Sequence, residues 1–330
     1  MAGPLLITSE SFEQLQDEWP ALHAATSGAS PFTHPAFVAA WLRHFTPAYP
    51  PVFLGIRDEE RLVGVATLEP GPAVARQLGD PNVCDYSGPI ALPGYEEEAA
   101  AGIIEWLMED LTVGLDLWGI REDSPMRAAL AAGAARFSWP VTEEREAVCP
   151  YMDLPGDFET YIASLPKHDR HELRRKIRNL EAAGEVRFDS VTEPEGVRAG
   201  MDRFLELMRI SRDDKDSFLT PAMEAFFRDL APSMAAAGMA RLSTLWLDGQ
   251  SVAMLLSFED ADTVYLYNSG FDPAASHLAV GLLSKAYAIE DAIAHGKRRF
   301  DFLRGEEVYK RHLGGVPREV LRVYAGKRDG

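Results

Sequence analysis

The sequence has few cysteines and no long apolar run. Only Cys84 and Cys149 occur among 330 residues, which argues against a disulfide framework and a cysteine-based zinc site. No stretch approaches the ~20 apolar residues that a membrane-spanning helix needs. The first residues lack both a basic start and a long apolar core, unlike a signal peptide. These absences predict a globular, cytoplasmic protein with two small buried cysteines.

Lysine is absent from residues 1–150. This half contains 8 arginines and 22 acidic residues, a net charge of −14, whereas residues 151–330 contain 25 basic and 29 acidic residues, a net charge of −4. An acidic first half repels phosphates, so the charge disfavours nucleic acid as a partner. We therefore expect any anionic ligand to bind the second half.

The order of predicted elements is similar in the two halves, and the length suggests two domains of ordinary size. Each half has helices, then a β-hairpin, then a helix–strand–helix segment. The hairpins are predicted at 52–57 with 62–68, and at 240–247 with 251–258 across the two-residue turn Asp248-Gly249. Further strands are predicted at 114–119, 148–154, 186–189, 263–268, 299–303 and 320–324, and helices at 96–109, 124–132, 158–165, 167–183, 197–211, 221–237, 280–295 and 306–313.

Several segments of the second half resemble GNAT acyltransferases. They are the hairpin, Tyr265–Asp272, the helix at Gly281 and Phe300–Lys310. The CelD/BcsL-like branch of these proteins, linked to bacterial exopolysaccharide and cellulose loci, is the most similar. The segments similar to that branch are Tyr161–Glu181, Ser211–Lys215, Pro31–Trp41 and Leu62–Leu68.

This resemblance implies an α+β (mixed α/β) fold of two tandem GNAT-like lobes, each a twisted mixed sheet flanked by helices. The domains would be a degenerate acidic lobe at 1–150, an acyltransferase lobe at 151–316 and a terminal strand at 317–330. The same two-lobe architecture occurs in the Fem-type aminoacyl transferases of peptidoglycan. That relation implies that the terminal strand returns to the first lobe.

The resemblance also implies acetyl-CoA or another acyl-CoA as co-substrate. In GNAT enzymes a backbone amide on a splayed central strand donates to the thioester oxygen, and the pyrophosphate lies on the start of the following helix. The residues at these two places are Tyr267, Asn268, Ser269, His277, Val280, Gly281 and Leu282. The usual helix start has two small residues. Here only Gly281 is small, because Leu282 stands where the second is expected, and Gly281 can equally serve helix packing.

The segment after residue 300 holds the candidate catalytic residues. Tyr309 matches the tyrosine that protonates the leaving thiolate in many GNAT enzymes, or it is a packed aromatic. Lys310 and Arg304 are candidate oxyanion or phosphate partners. Glu306, with its neighbour Glu307, can polarise the amine or only favour a helix start. Asp301 alternates with two phenylalanines on a strand, so it lines a cleft or faces solvent.

The predicted helix at 167–183 is unusually basic. Arg170, Arg174 and Arg178 share one face, and such like-charge pairs cost about 0.2–0.5 kcal/mol each. A bound anion compensates them, with Arg212 and Lys215 extending the patch, or the helix docks on the acidic first lobe. Cations around the histidines of this helix disfavour a metal, and we expect none.

Three functions remain open. The leading hypothesis is an N-acyltransferase that acts on an amine of a small or saccharide-type acceptor by direct transfer in a ternary complex. The second is a Fem-like transferase using aminoacyl-tRNA, disfavoured by the acidic first lobe and the lack of a long helical arm. The third is a catalytically silent binding module.

Overall fold

The computed structural model describes residues 5–109, 112–211 and 217–327. The strands are β1 (Leu6–Glu10), β2 (Val52–Asp58), β3 (Arg61–Pro70), β4 (Val74–Gln77), β5 (Ile90–Ala91), β6 (Gly114–Arg121), β7 (Val141–Val148), β8 (Tyr151–Asp153), β9 (Val186–Val191), β10 (Ala240–Leu247), β11 (Gln250–Glu259), β12 (Thr263–Phe271), β13 (Arg299–Asp301) and β14 (Glu319–Gly326). The α-helices are α1 (Phe12–Leu15), α2 (Trp19–Ala25), α3 (Pro35–His44), α4 (Glu96–Glu109), α5 (Pro125–Arg136), α6 (Phe158–Ser164), α7 (Lys167–Ala183), α8 (Pro194–Ser211), α9 (Pro221–Ala236), α10 (Val280–Ala294) and α11 (Val308–His312). Short 3₁₀ helices cover Pro31–Thr33 and Pro273–Leu278.

Unit 1 comprises the chain up to Ala147 and again from Arg318 onward. Its sheet has the order β1-β2-β3-β4-β6-β14-β7, with β5 paired to β3. Strands β4 and β6 run parallel, whereas β14 is antiparallel to β6. The last strand of the chain therefore lies inside the first sheet, between two strands made much earlier.

Unit 2 comprises residues 148–317 and has the sheet order β8-β13-β12-β11-β10-β9. Strands β12 and β13 pair in parallel, and the other pairs between the described strands of this sheet are antiparallel. Helices α6, α7 and α10 bury apolar side chains against one face, with Leu245, Leu255 and Leu266 of the strands. Alternate strand residues such as Leu242 and Met254 approach α8 on the other face. These two mixed sheets flanked by helices confirm the predicted α+β class.

The prediction of one strand at 148–154 was wrong. Strand β7 ends at Val148 in the sheet of unit 1, and β8 begins at Tyr151 in the sheet of unit 2. Pro150 between them has no N–H to donate to a ladder. Half of the residues of β7 are charged, which an edge strand tolerates because its side chains stay exposed. The segment 141–147 therefore lacks the pattern of a strand in the sequence.

No helix in the described part of the chain is long and apolar enough to cross a membrane. Both cysteines are buried and unbridged, as the sequence predicted.

Candidate active site

The sheet of unit 2 opens between its two parallel strands. Strand β13 pairs with β12 at only three positions, from Thr263 with Arg299 to Tyr265 with Asp301. Strand β12 then continues to Phe271, and of the described strands only β11 pairs with this later part. Because both strands run in the same direction, their carboxyl ends diverge and leave an opening, a usual place for ligands in sheets with parallel strands.

A β-bulge lies in β12 at the start of the opening. Leu256 pairs with Asn268 and the next residue, Ser257, pairs with Leu266, so Tyr267 is an extra residue in the ladder. A bulge bends the strand and turns its backbone groups in new directions. The Tyr267 ring packs on Phe258, with 4.7 Å between ring centroids. The bulge therefore coincides with the segment where the sequence predicts an amide donor.

Helix α10 begins at the same end of β12. Its N-cap residue, Ala279, has left-handed backbone angles of φ 57° and ψ 31° and makes no side-chain cap. The N–H groups of Leu282 and Leu283 both donate to its carbonyl. A Cβ on Gly281 would lie 3.0 Å from the Phe271 ring, so a larger residue would press on the end of β12. No acidic residue lies in the first turn, so the partial positive charge of this helix start is not compensated there.

Lys285 joins these two elements. It is 5% exposed, and its Nζ donates to Ser269 Oγ at 3.1 Å and to the Gly281 carbonyl at 2.8 Å. The same Nζ lies 5.3 Å from the centroid of the Tyr309 ring, within the range of a cation–π contact. The predicted residues Ser269, Gly281 and Tyr309 are thus brought together around the ammonium group of Lys285, which is not among the site residues predicted from the sequence. One signal was available, since Lys285 is the only basic residue of a largely apolar helix.

Lys310 binds the backbone of the loop that follows β13. This lysine is 2% exposed, and its Nζ donates to the carbonyls of Leu303, Arg304 and Gly305 at 3.0, 2.7 and 3.2 Å. The Nζ also lies 2.9 Å from Glu307 Oε2. A cation that satisfies three carbonyl oxygens fixes the loop backbone, so the predicted Lys310 is tied into the loop itself.

Asp301 supports the other end of this loop. It is 1% exposed, and its Oδ1 accepts the N–H of Leu303 at 2.8 Å. The alternative that Asp301 faces solvent is therefore wrong. Leu303 has a positive φ of 56°, which a leucine adopts rarely, and the bond from Asp301 stabilises that turn. Arg304 is half-buried and Glu306 is exposed on the same loop.

Helix α11, which carries Tyr309, is anchored at its other end. The buried hydroxyl of Tyr161 donates to the Leu313 carbonyl at 3.1 Å. Burial raises the pKa of Tyr161 well above its usual range, so it remains a donor at neutral pH. His312 Nδ1 lies 2.7 Å from Asp169 Oδ1 at the start of α7. These contacts fix the backbone on which Tyr309 stands.

Several cations of α7 have partners within unit 2. Arg170 donates to the carbonyl of Ala163 at 2.9 Å. Arg174 lies 2.8 Å from Glu159, in an exposed pair. The predicted Arg212 and Lys215 lie outside the described residues. His277, predicted to bind the donor, is exposed and bonds locally to the Ala274 carbonyl. Within the described ranges, the bonds of Arg170, Arg174 and His277 go to Ala163, Glu159 and Ala274 and not to Lys285, Ser269 or Tyr309.

No group of three or more His, Cys, Asp or Glu side chains in the described ranges could hold a metal ion. The site offers hydrogen-bond donors and charged groups. It combines an opened strand edge, an uncompensated helix start, a buried ammonium and a tyrosine.

Comparison with known proteins places the family resemblance on unit 2. Residues 167–311 match the family described as an acetyltransferase (GNAT) domain. No curated protein matches the chain. Residues 167–311 therefore form a GNAT-superfamily acyltransferase domain, and the protein is an acyltransferase.

Solved structures are similar over nearly the whole chain. FemX is 11% identical, with 96% of each chain covered and a TM-score of 0.69. A conserved protein of unknown function from Bacteroides thetaiotaomicron is 13% identical, with 98% of this chain and 100% of the other covered and a TM-score of 0.65. A tandem GNAT protein from the clavulanic acid biosynthesis pathway is 14% identical, with 99% and 100% covered and a TM-score of 0.51. At such low identity these likenesses concern the fold alone.

Proposed function

We propose that the protein is an N-acyltransferase that moves an acyl group from acyl-CoA, acetyl-CoA in the simplest case, to an amine. Transfer is direct, within a ternary complex of enzyme, donor and acceptor. One observation carries this proposal: Lys285 links Ser269 on the opened strand to Gly281 at the helix start, beside the Tyr309 ring.

The start of α10 supports the choice of a CoA donor. Backbone N–H groups at a helix N-terminus bind phosphate, and the helix dipole adds to the attraction. Val280, Gly281 and Leu282 form this start, and no acidic side chain opposes an anion there. The absence of a side chain at Gly281 lets this helix start lie against the Phe271 ring at the end of β12. A CoA donor also implies a cytoplasmic reaction, since that is where acyl-CoA is available.

The reaction needs an oxyanion donor and a proton for the leaving group. The neutral amine attacks the thioester carbonyl carbon, and a new C–N bond forms while the carbonyl oxygen becomes negative. A backbone N–H in the Tyr267–Ser269 segment donates to that oxygen. The C–S bond then breaks, and Tyr309 gives its hydroxyl proton to the thiolate. The ammonium of Lys285, above the ring, stabilises the phenolate that remains.

The amine also loses one proton. Glu306, exposed on the loop after β13, can accept it directly or through water. The proton taken from the amine then returns to the Tyr309 phenolate, so the overall reaction converts acyl-CoA and amine into amide and CoA. In this proposal Asp301 and Lys310 position the loop and touch no reacting atom, and Arg304 contributes charge at its rim.

For the acceptor we propose an amine of a small or saccharide-type molecule. The support is the resemblance of Tyr161–Glu181 and Pro31–Trp41 to the CelD/BcsL-like branch. An anionic group on such an acceptor would find Arg170 and Arg174 on α7, with Arg212 and Lys215 as further candidates. Arg174 pairs with Glu159 in an exposed ion pair, and Arg212 and Lys215 lie outside the described residues.

The test is calorimetric titration with acetyl-CoA and longer acyl-CoAs, followed by turnover assays with amines and amino sugars. We expect binding of one acyl-CoA and CoA release that depends on the amine. Tyr309→Phe should lower turnover by about 10²- to 10⁴-fold, the usual contribution of a general acid, and leave acyl-CoA affinity within about twofold.

Absence of binding for every acyl-CoA would overturn the proposal. Acceptance of aminoacyl groups from aminoacyl-tRNA in that case would favour the Fem-like alternative. Unchanged turnover of Tyr309→Phe across pH would remove Tyr309 as the acid and leave the donor assignment standing.

A further inference from the structure

A cavity of unit 2 lies between three helices, with Phe158 of α6, Ile177 of α7 and Tyr287 of α10 in its wall. We call it the interhelical groove. Its volume is about 420 Å³, and pockets that hold small molecules usually measure about 300–1,000 Å³. The groove therefore has room for a small ligand.

The groove and the acyl-transfer site lie on different sides of α10. Tyr287 and Glu290 line the groove, whereas Lys285 donates to Ser269 of β12 and to the Gly281 carbonyl. In a helix of 3.6 residues per turn, the positions two and five residues after Lys285 point about 140–160° away from it. A ligand in the groove therefore does not enter the opening of the sheet.

Apolar side chains form much of the groove wall. Ile162 is 2% exposed, and Phe158, Ile177 and Tyr287 are half-buried. The Tyr287 ring stacks on Phe188 of β9, with ring centroids 6.0 Å apart. The apolar body of a ligand can pack on this wall, and such packing is favourable because it removes apolar surface from water.

One carboxylate in the wall lacks a compensating cation. Glu290 is half-buried, and it forms no ion pair or side-chain hydrogen bond with the described residues. Burial, and then the charges of Glu159, Asp291 and Glu181, raises the pKa of this carboxyl. The charged neighbours that act on Glu290 are thus acidic, so the electrostatic potential beside it favours a cation.

The arginines of the groove do not supply that cation. Arg174 lies 2.8 Å from Glu159, and Arg178 is exposed, with Glu181 one turn further along α7. These four side chains line the rim, and their two positive and two negative charges cancel. Glu290 leaves the groove with one net negative charge, which disfavours an anionic ligand.

We propose that the interhelical groove binds a small organic cation, a protonated amine with an apolar body. The ammonium donates to the Glu290 carboxylate, and charge-assisted hydrogen bonds of this kind are the strong ones. The body packs on Ile162, Ile177 and the Tyr287 ring. Both parts of such a molecule thus find a matching surface in one cavity.

The experiment is a titration of the full chain with ¹³C-labelled isoleucine methyl groups and without acyl-CoA. Benzylamine is the probe, benzyl alcohol has nearly the same shape without the charge, and phenylacetate carries the opposite charge. The buffer contains about 0.15 M salt, which screens the acidic surface of the protein. Ile162→Val and Ile177→Val assign the two methyl signals of the groove.

We expect benzylamine to shift the Ile162 and Ile177 signals saturably. Benzyl alcohol should bind about tenfold more weakly, because it lacks the charged donor, and phenylacetate should bind least. Two results overturn the proposal: no saturable shift of these signals with benzylamine, or binding of either other probe as tightly as benzylamine.

Glu290→Gln tests the carboxylate itself. The variant keeps the size of the side chain, and it should fold because the surroundings of Glu290 already favour the neutral form. We expect it to bind benzylamine about tenfold more weakly and benzyl alcohol as the original protein does. Glu206→Gln is the matched control, because Glu206 pairs with Arg203 on α8, outside the groove. Equal benzylamine affinity of the two variants would also overturn the proposal.

The result is independent of the acyl-transfer proposal. The titration contains no acyl-CoA and is measured at methyl groups of the groove, whereas acyl-CoA binding and the Tyr309→Phe variant report on the opening of the sheet. Either proposal can fail while the other succeeds.

Discussion

In both units the sheet opens between two parallel strands, but the side chains at the two openings differ. In each, two parallel strands pair at three positions and then diverge, β4 from β6 in unit 1 and β12 from β13 in unit 2. In unit 1 the opening is lined by neutral and aromatic side chains. In unit 2 it is bordered by the ammonium of Lys285 and the ring of Tyr309.

The helix that leads from one parallel strand to the next also differs in charge between the two units. Helix α4 of unit 1 has three glutamates in its first turn, and α10 of unit 2 has no acidic residue there. A helix start attracts anions only if its partial positive charge is not already compensated. The two helix starts therefore differ in charge, although each helix leads between two parallel strands of its own sheet.

The largest effect is expected from breaking the loop of unit 2. Lys310→Met leaves the carbonyls of Leu303, Arg304 and Gly305 without their donor, so we expect the free energy of unfolding to fall by about 3 kcal/mol. Urea unfolding measures this. Lys176→Met, which removes a partly exposed pair with Glu172, is the control and should cost less than about 1 kcal/mol. Similar losses in both would mean that Lys310 does not hold the loop.

Removal of the ammonium at the opening tests the contrast directly. Lys285→Met loses the bonds to Ser269 and Gly281, and hydrogen bonds from a charged group are worth about 1.5–3 kcal/mol. We expect kcat/KM to fall about tenfold to 100-fold. Steady-state kinetics checks this, with Glu290→Gln on the same helix as a control that keeps its activity. Full activity of Lys285→Met would show that the reaction does not need the ammonium group at the opening of unit 2.

Acid should affect the contributions of His34 in unit 1 and Glu290 in unit 2 in opposite directions. Burial, with a smaller effect of His23, lowers the pKa of His34 in unit 1 to about 3. The unfolded chain then binds the proton more strongly, so unit 1 loses up to about 1.4 kcal/mol per pH unit as the pH falls below about 6.5. Burial, with nearby carboxylates, raises the pKa of Glu290 in unit 2, and its protonation favours the folded state.

Unfolding midpoints at pH 7, 6 and 5 test this. Tryptophan fluorescence reports mainly on unit 1, because five of the six tryptophans belong to it. His34→Asn should flatten the pH dependence, since an asparagine oxygen can still accept the N–H of Ala36 that His34 Nδ1 accepts. An unchanged slope in this variant would show that His34 is not the group responsible.

The smallest effect comes from giving α10 a start like that of α4. Leu282→Glu adds an acid to the first turn, which costs about 0.3–1 kcal/mol toward an anion. We expect acyl-CoA to bind about two- to fivefold more weakly by calorimetry. Leu282→Gln introduces a side chain of nearly the same size as glutamate but without the charge. This variant should bind acyl-CoA as tightly as the original protein. Equal weakening in both would point to shape rather than charge.

Local patterns predicted much of unit 2. The hairpin of β10 and β11 was predicted from Asp248-Gly249, and both residues have the positive φ that such a turn requires, 49° and 74°. Helix α10 was predicted at 280–295 and runs from Val280 to Ala294. In each case the information lies within a few neighbouring residues.

Features that depend on strand register or on contacts between distant residues could not be predicted from the sequence. The bulge at Tyr267 exists because β11 and β12 pair with a one-residue shift, which no local pattern encodes. Lys285 belongs to the site through contacts with Ser269 and Tyr309, distant in the chain. The short strand β4 and the charged edge strand β7 lack the apolar alternation by which strands are recognised.

The position of β14 has a consequence for synthesis on the ribosome. The sheet of unit 1 needs β14 between β6 and β7, yet residues 148–317 are made before it. At 5–20 residues per second this interval lasts roughly ten to thirty seconds. During that time the nascent first unit exposes an unpaired strand edge, a site at which chains can aggregate or bind a chaperone. Unit 1 is therefore translated first, but its sheet can be completed only after unit 2 has been made.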